Sequence, residues 1–258
     1  DASGTAALPN LFDGVLLRSG AYHNEIRENV VSGNGERGIK LEGSSENLIV
    51  GNAIGVDRTV TNAIPNALGG LLVQGSRNQI GGLIPNEGNA ICANGGWGVQ
   101  VNTDAAGIFS SENRFENNTI GLPGLGNSLG GVFFGCGAVD NVLGELSSGT
   151  SVLGNIIHSN GGEGVLVDDT AGLGPADGNK LLSNSITDNA LRGIELNGAG
   201  NCNTPPPLIT HATSTSVGGH LRVASVPALV QVFADAGGEG ELFLGEVWVS
   251  VPFGAWSV

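Results

Sequence analysis

Charge is scarce in this chain, and cysteine and aromatic residues are scarcer still. Of 258 residues, 13% are Asp, Glu, Lys or Arg, 5% are aromatic and one is a tyrosine, Tyr22. Ten basic against 24 acidic side chains leave a formal net charge of −14. Such a surface repels phosphate backbones and anionic lipid, which argues against nucleic-acid partners. No apolar run approaches the ~18 residues of a membrane span, so no membrane insertion is expected. The first residue is Asp1, with no Met and no leader-like segment after it; the chain reads as a processed form or a piece of a longer protein. Cys92, Cys136 and Cys202 form no C-x-x-C pair. Neither a disulfide scaffold nor a zinc site fits that count, and buried free thiols acting as small apolar fillers are expected.

Glycine is what the chain has in excess: 45 positions, where about 18 would be average. Plentiful, regularly placed Val, Ile and Leu exclude disorder, so the fold must turn often. One formula recurs: Gly, apolar, any residue, apolar. It stands at Gly14–Leu17, Gly38–Leu41, Gly70–Val73, Gly98–Val101, Gly131–Phe134, Gly164–Val167 and Gly193–Leu196, with its glycines 24, 32, 28, 33, 33 and 29 residues apart. A second coincidence supports the first. Asp1, Pro9, Asn10 and Gly14 reappear as Asp57, Pro65, Asn66 and Gly70. Each formula is a short alternating strand whose first and third apolar positions share a side. Repetition of one residue formula at one spacing predicts stacked identical coils rather than a sandwich. Asn24, Asn47, Asn52, Asn78, Asn113, Asn141, Asn155, Asn179 and Asn184 are expected at the corners, where asparagine tolerates left-handed backbone and stacks into amide ladders. The expected fold is all-β: a right-handed parallel β-helix of about seven rungs over residues 1–203.

The run Asp1 to Asn10, the Asn-x-Ile-Gly-Gly of Asn78 to Gly82, and Gly88-Asn89-Ala90-Ile91-Cys92-Ala93-Asn94-Gly95 resemble a known repeat. It is that of large secreted bacterial proteins of the right-handed parallel β-helix (pectate-lyase-like) superfamily. The resemblance covers residues 1 to about 203 and implies a secreted or cell-surface location. It leaves activity open, because that superfamily holds lyases, hydrolases, epimerases and adhesins alike.

After Asn203 the texture changes. Thr204-Pro205-Pro206-Pro207 breaks the repeat and reads as a stiff linker or lid. Strand-like runs follow at Leu208–His211, His220–Ala224, Ala228–Ala234, Glu241–Val251 and Ala255–Val258, with Gly237 to Gly240 as a hairpin turn. Residues 204–258 are expected to form a β-rich cap or a partial β-sandwich; Val230 to Val258 is similar to the first strands of an immunoglobulin-like module.

Catalytic candidates are few. Asn102-Thr103-Asp104 and Asp168-Asp169 resemble the acidic pairs of polygalacturonase-type hydrolases, where two carboxylates act across a sugar bond. The family's G-H-G and R-I-K are missing, and one rung intervenes between the pairs; the competing reading is polar turn residues. A calcium-dependent lyase needs clustered acids and a Lys or Arg base, yet Lys40, Lys180, Arg18, Arg77 and Arg192 follow no acid-rich run. His23, His158, His211 and His220 lack metal-ligand spacing, and the Gly pairs have no phosphate-loop context. No cofactor and no metal are expected. The outward middle residues of the seven strands read Leu16, Lys40, Leu72, Gln100, Phe133, Leu166 and Glu195. Leu16, Leu72, Phe133 and Leu166 are candidates for an apolar docking strip, unless loops fold over them. The expected function is a non-catalytic extracellular structural or adhesive module, self-assembling or glycan-binding, with itself, another β-rich surface or a polysaccharide as partner. The alternatives are a polysaccharide-active enzyme, and a carbohydrate-binding module stacking sugars on Trp97, Trp248, Trp256 or Tyr22.

Overall fold

The computed structural model describes residues 4–84, 86–104, 106–144, 154–203, 205, 207–223, 226–234 and 242–258. Asp1 of the internal repeat, Thr204 and Pro206 of the linker, Ala224 and the Gly237–Gly240 turn lie outside the described residues. The described residues between 15 and 197 form a parallel β-helix. Its seven repeat strands, Val15–Arg18, Arg37–Glu42, Gly69–Gln74, Trp97–Val101, Gly130–Phe134, Val165–Asp168 and Ile194–Asn197, pair in chain order as one parallel sheet. Two further parallel sheets of six strands each complete the coil, one starting at Glu25–Arg27 and the other at Val30–Val31.

Register delivers what the formula predicts. Val15, Ile39, Leu71, Val99, Val132, Val165 and Ile194 stand in one column, and Leu17, Leu41, Val73, Val101, Phe134, Val167 and Leu196 in the next. Most of these side chains are buried, and they meet Ile26, Ile49, Ile80, Phe115 and Leu143 from the second sheet and Val31, Ile54, Ile91, Ile120 and Ile157 from the third in one continuous core. Phe115 and Phe134 meet edge to face, with ring centroids 6.1 Å apart. The glycine that opens the formula has a steric cause. A Cβ on Gly70 would lie 2.5 Å from Ile91 Cγ2 and 2.9 Å from Asn94 Nδ2, inside both neighbours, so only hydrogen fits at this corner.

The corners are held by three ladders of asparagine. One runs Asn10, Asn34, Asn66, Asn94, Asn127, Asn160, Asn189. A second runs Asn24, Asn47, Asn78, Asn113, Asn141, Asn179, and a third Asn29, Asn52, Asn89, Asn118, Asn155, Asn184. In each, Nδ2 donates to Oδ1 of the next rung, and interior members also donate to a carbonyl of the preceding one, as Asn113 does to Gly75. One expectation is corrected here. The left-handed backbone falls on the residue before the ladder asparagine, as at Glu28, Glu46, Arg77, Ala93, Glu112, Asp140 and Asp188. That turn aims the asparagine inward, and the asparagine contributes its amide rather than its φ.

Gly200–Asn203 forms a tight turn in which Asn201 and Cys202 take left-handed backbone. Leu208–Ala212, Val217–His220 and Ala255–Ser257 then make an antiparallel three-stranded sheet, and Ala228–Ala234 pairs antiparallel with Leu242–Val249. Leu221, Val230, Val232, Val249 and Trp256 form an apolar cluster of their own. Cys92 and Cys136 are buried free thiols as expected, and burial pushes Cys92 up to about 12. Cys202 is corrected: it is exposed, with Sγ 3.1 Å from Asp177 Oδ2, because the turn at Gly200–Asn203 sits outside the coil's inward columns.

Candidate functional site

The outer face of the seven-stranded sheet carries the docking positions that the sequence singled out. Its middle column is the one expected, Leu16, Lys40, Leu72, Gln100, Phe133, Leu166 and Glu195, each in register with the next. None of the four apolar members belongs to the core cluster, so the strand phase is as read. Their exposure differs from the expectation. Leu16 is 41% exposed, Phe133 and Leu166 are half-buried, and Leu72 is 4% exposed. Leu72 is flanked in register by Lys40 and Gln100, residues whose long stems can lie along an apolar neighbour; the Lys40 side chain is itself 21% exposed, with Nζ 3.2 Å from Glu42. The column is therefore not a continuous open strip.

Phe133 has a partner that sequence reading missed. The Trp97 ring stacks on it with centroids 5.3 Å apart and planes 27° from parallel. Gly130, in register with Trp97, makes this possible, because a Cβ there would fall within the indole. The signal was present as a glycine opposite a tryptophan. Of the other sugar-stacking candidates, Tyr22 and Trp248 are exposed and Trp256 is buried.

Each candidate carboxylate already accepts hydrogen bonds, from its own turn or from the next rung. Asp104 Oδ1 accepts the backbone N–H of Ala106 and of Ile108, both at 2.9 Å. Asp168 Oδ1 accepts Thr170 N–H at 2.7 Å, and its Oδ2 accepts Asn197 Nδ2 at 3.3 Å. Asp169 Oδ1 accepts Ala199 N–H at 2.7 Å. Partial burial would raise Asp168, but hydrogen bonds from Thr170 and Asn197 together hold it below the usual carboxylate value. A general acid for glycosidic cleavage needs the opposite displacement. Asp104 and Asp168 follow strands separated by the Gly130–Phe134 strand, so they stand two rungs, roughly 9.6 Å, apart along the axis.

Three of the five Lys and Arg candidates are paired. Lys40 pairs with Glu42, Arg77 with Glu46 and Arg192 with Glu195. His23 and His158 face Glu46 and Asp188, while His211 and His220 sit in the antiparallel sheet. Among the described residues no three His, Cys, Asp or Glu side chains cluster as a metal site would require. No helix is long and apolar enough to cross a membrane. Compared with known proteins, the sequence matches no family model and no curated protein.

Proposed function

We propose that the chain is a non-catalytic structural module of an extracellular or cell-surface protein, a short β-helical rod that presents its flanks for adhesion. One observation carries this reading: each candidate carboxylate already accepts a backbone or amide N–H, and Asp104 stands two rungs from Asp168 and Asp169. Their role is to shape the loops that leave the long sheet. The remaining polar investment goes into the asparagine ladders, which hold rung to rung and face away from solvent. Membership of the pectate-lyase-like superfamily, and an immunoglobulin-like character for residues 204–258, belong to the same proposal and rest on the sequence resemblance.

The test is turnover on pectin, alginate, hyaluronan and xylan, where none is expected. A clear rate abolished by Asp104→Asn or Asp168→Asn would replace this reading with a polysaccharide-active enzyme at that site. A specific observation favours glycan as the adhesive target: the half-buried Trp97–Phe133 pair on the outer face offers the apolar ring surface on which a sugar stacks. Oligosaccharide binding that quenches Trp97 fluorescence, and is lost in Trp97→Ala, is the expected signature.

A further inference from the structure

An asparagine side chain is most open to attack by its own backbone when glycine follows it. Glycine puts no Cβ beside the attacking nitrogen and leaves the chain free to bend. Four such pairs are present: Asn34-Gly35, Asn94-Gly95, Asn160-Gly161 and Asn197-Gly198. Three belong to the corner ladder that starts at Asn10. Asn34, Asn94 and Asn160 are 5%, 0% and 1% exposed. Their Nδ2 atoms donate to Oδ1 of Asn66, Asn127 and Asn189, and their Oδ1 atoms accept from Asn10, Asn66 and Asn127. The nitrogen that would attack is held too. Gly35, Gly95 and Gly161 donate their N–H to the carbonyls of Asn10, Asn66 and Asn127 at 2.9, 2.9 and 2.8 Å. Neither reacting atom can approach the other unless the rungs part.

Asn197-Gly198 is built differently. Asn197 closes Ile194–Asn197, the last strand of the seven-stranded sheet, which is paired within that sheet on one side only. Both residues of the pair are exposed. Asn197 Nδ2 reaches Asp168 Oδ2 at 3.3 Å, beyond the usual range for such a bond. Gly198 opens the turn that follows, with φ +64°, and a Cβ there would collide with Asp169 Oδ1. The turn therefore requires the very residue that leaves Asn197 open to attack.

We propose that Asn197 is a site of spontaneous deamidation, while the asparagine ladder shields the other three Asn-Gly pairs. The Gly198 backbone nitrogen gives up its proton to solvent and bonds to Asn197 Cγ. Nδ2 takes a proton from solvent and leaves as ammonia. Water then opens the five-membered imide. Attack at Cγ gives aspartate, and attack at the backbone carbonyl carbon gives isoaspartate. Aspartate sets a carboxylate against Asp168, its neighbour in register, where an N–H donor stood, so a hydrogen bond becomes a like-charge contact. Isoaspartate adds a methylene to the backbone of the strand. The last rung and the Gly200–Asn203 turn thus loosen as the protein ages, with no enzyme involved. This inference stands apart from the structural-module reading, since it needs neither a partner nor a substrate.

Incubation of the folded full chain at mildly alkaline pH, followed by peptide mass spectrometry over time, tests it. Asn197 should gain the mass of amide-to-acid conversion at least ~10-fold faster than Asn34, Asn94 or Asn160, whose reaction waits on opening of the coil. Isoaspartate should accompany aspartate at position 197, because direct hydrolysis of the amide would yield aspartate alone. In concentrated urea the four rates should converge to within about threefold, since the ladder no longer holds three of them. The charge effect is read in two variants. Asn197→Asp should melt below Asn197→Ser at pH 7, and the gap should close as pH falls through the carboxylate range. An Asn197 no faster than the ladder asparagines in the folded protein, or aspartate formed without isoaspartate, overturns the proposal. So does an Asn197 that keeps its full lead in urea, which would put the selectivity in the flanking sequence rather than in the ladder. Asn197→Asp melting with or above Asn197→Ser overturns the loosening of the last rung.

Discussion

The coil and the segment after it bury polar groups in opposite ways. Among the described residues, the buried Asn, Asp, Glu, Ser and Thr side chains all lie between Asn34 and Asn189. In the ladders nearly every interior amide donates forward to the next rung and back to a carbonyl of the previous one, as Asn113 does. The antiparallel segment from Leu208 onward has an aliphatic cluster around Trp256, whose Nε1 is buried with no hydrogen-bond partner among the described residues. Its strand Leu208–Ala212 is exposed along its whole length. Repetition makes the difference. Where each rung presents the same amide at the same corner, a buried donor always meets an acceptor one rung away. Positions outside the ladders have no such guarantee: Trp256 Nε1 in the antiparallel segment, and Asp177 Oδ1 in a loop of the coil, are buried with no hydrogen-bond partner among the described residues.

The largest effect should come from cutting a ladder at its middle. Asn118 is 1% exposed, accepts from the Asn89 backbone and Nδ2, and donates to Ile80 O and Asn155 Oδ1. Asn118→Ala leaves several buried groups unpaired and should cost on the order of 3–5 kcal/mol. Asn29→Ala, at the exposed first rung of the same ladder, should cost under ~1 kcal/mol. Urea unfolding followed by circular dichroism measures both. Equal costs would mean that the ladder is decoration on a core that holds itself. On the other side of the comparison, Trp256→Ala should cost about 3–5 kcal/mol by emptying the second cluster. Trp256→Phe should stay within ~1 kcal/mol of wild type, because the lost ring area is offset by removing an unpaired N–H. A large penalty for phenylalanine would show that the N–H has a partner after all.

The inward columns were legible in the sequence because the formula places glycine at a site that admits no side chain, followed by alternation that admits only one phase. The ladders were legible as asparagines at coil spacing, although their job was misassigned: left-handed backbone belongs to Glu46 or Arg77, and nothing in those residue types announces it. Turn residues carry no period until the rungs are aligned. The fate of Asp104 and Asp168 was equally hidden, since a carboxylate that accepts turn N–H groups and one that awaits a substrate have the same spelling. Leu72 needed its neighbours in register before its cover could be known.

Leu72 sharpens the comparison within a single column. It shares the outer face with Leu16, yet one is 4% and the other 41% exposed. Leu72→Ser should therefore destabilise the coil by about 2 kcal/mol, and Leu16→Ser by well under 1 kcal/mol. Thermal melts of the two single variants decide it. If both serines are silent, the cover over Leu72 is not packing and the strip regains its claim as an open surface.

The smallest effect concerns acid. Asp57 is 1% exposed, in a loop closed by an antiparallel bridge between Val56 and Ala63. Its carboxylate accepts Asn62 Nδ2 and Thr61 N–H at 2.8 Å, Thr59 Oγ1 at 3.0 Å and Asn62 N–H at 3.2 Å. The Asn62 side chain, then the Thr61 N–H, hold it well below the usual carboxylate range against the opposing pull of desolvation. Because the folded value is depressed, the stabilisation is fully present well above the unfolded value of about 3.9 and is lost as pH falls below it. Asp57→Asn keeps the shape but replaces one acceptor oxygen by a donor. The variant should be less stable than wild type at pH 7, and the gap should narrow as pH drops from 5 toward 2, since protonation does to the wild type what the substitution has already done. Melting temperatures of both proteins across that range are the measurement. A gap that stays constant down to pH 2 would mean that the loop is held by the Val56–Ala63 bridge and its apolar neighbours alone, with the carboxylate a bystander.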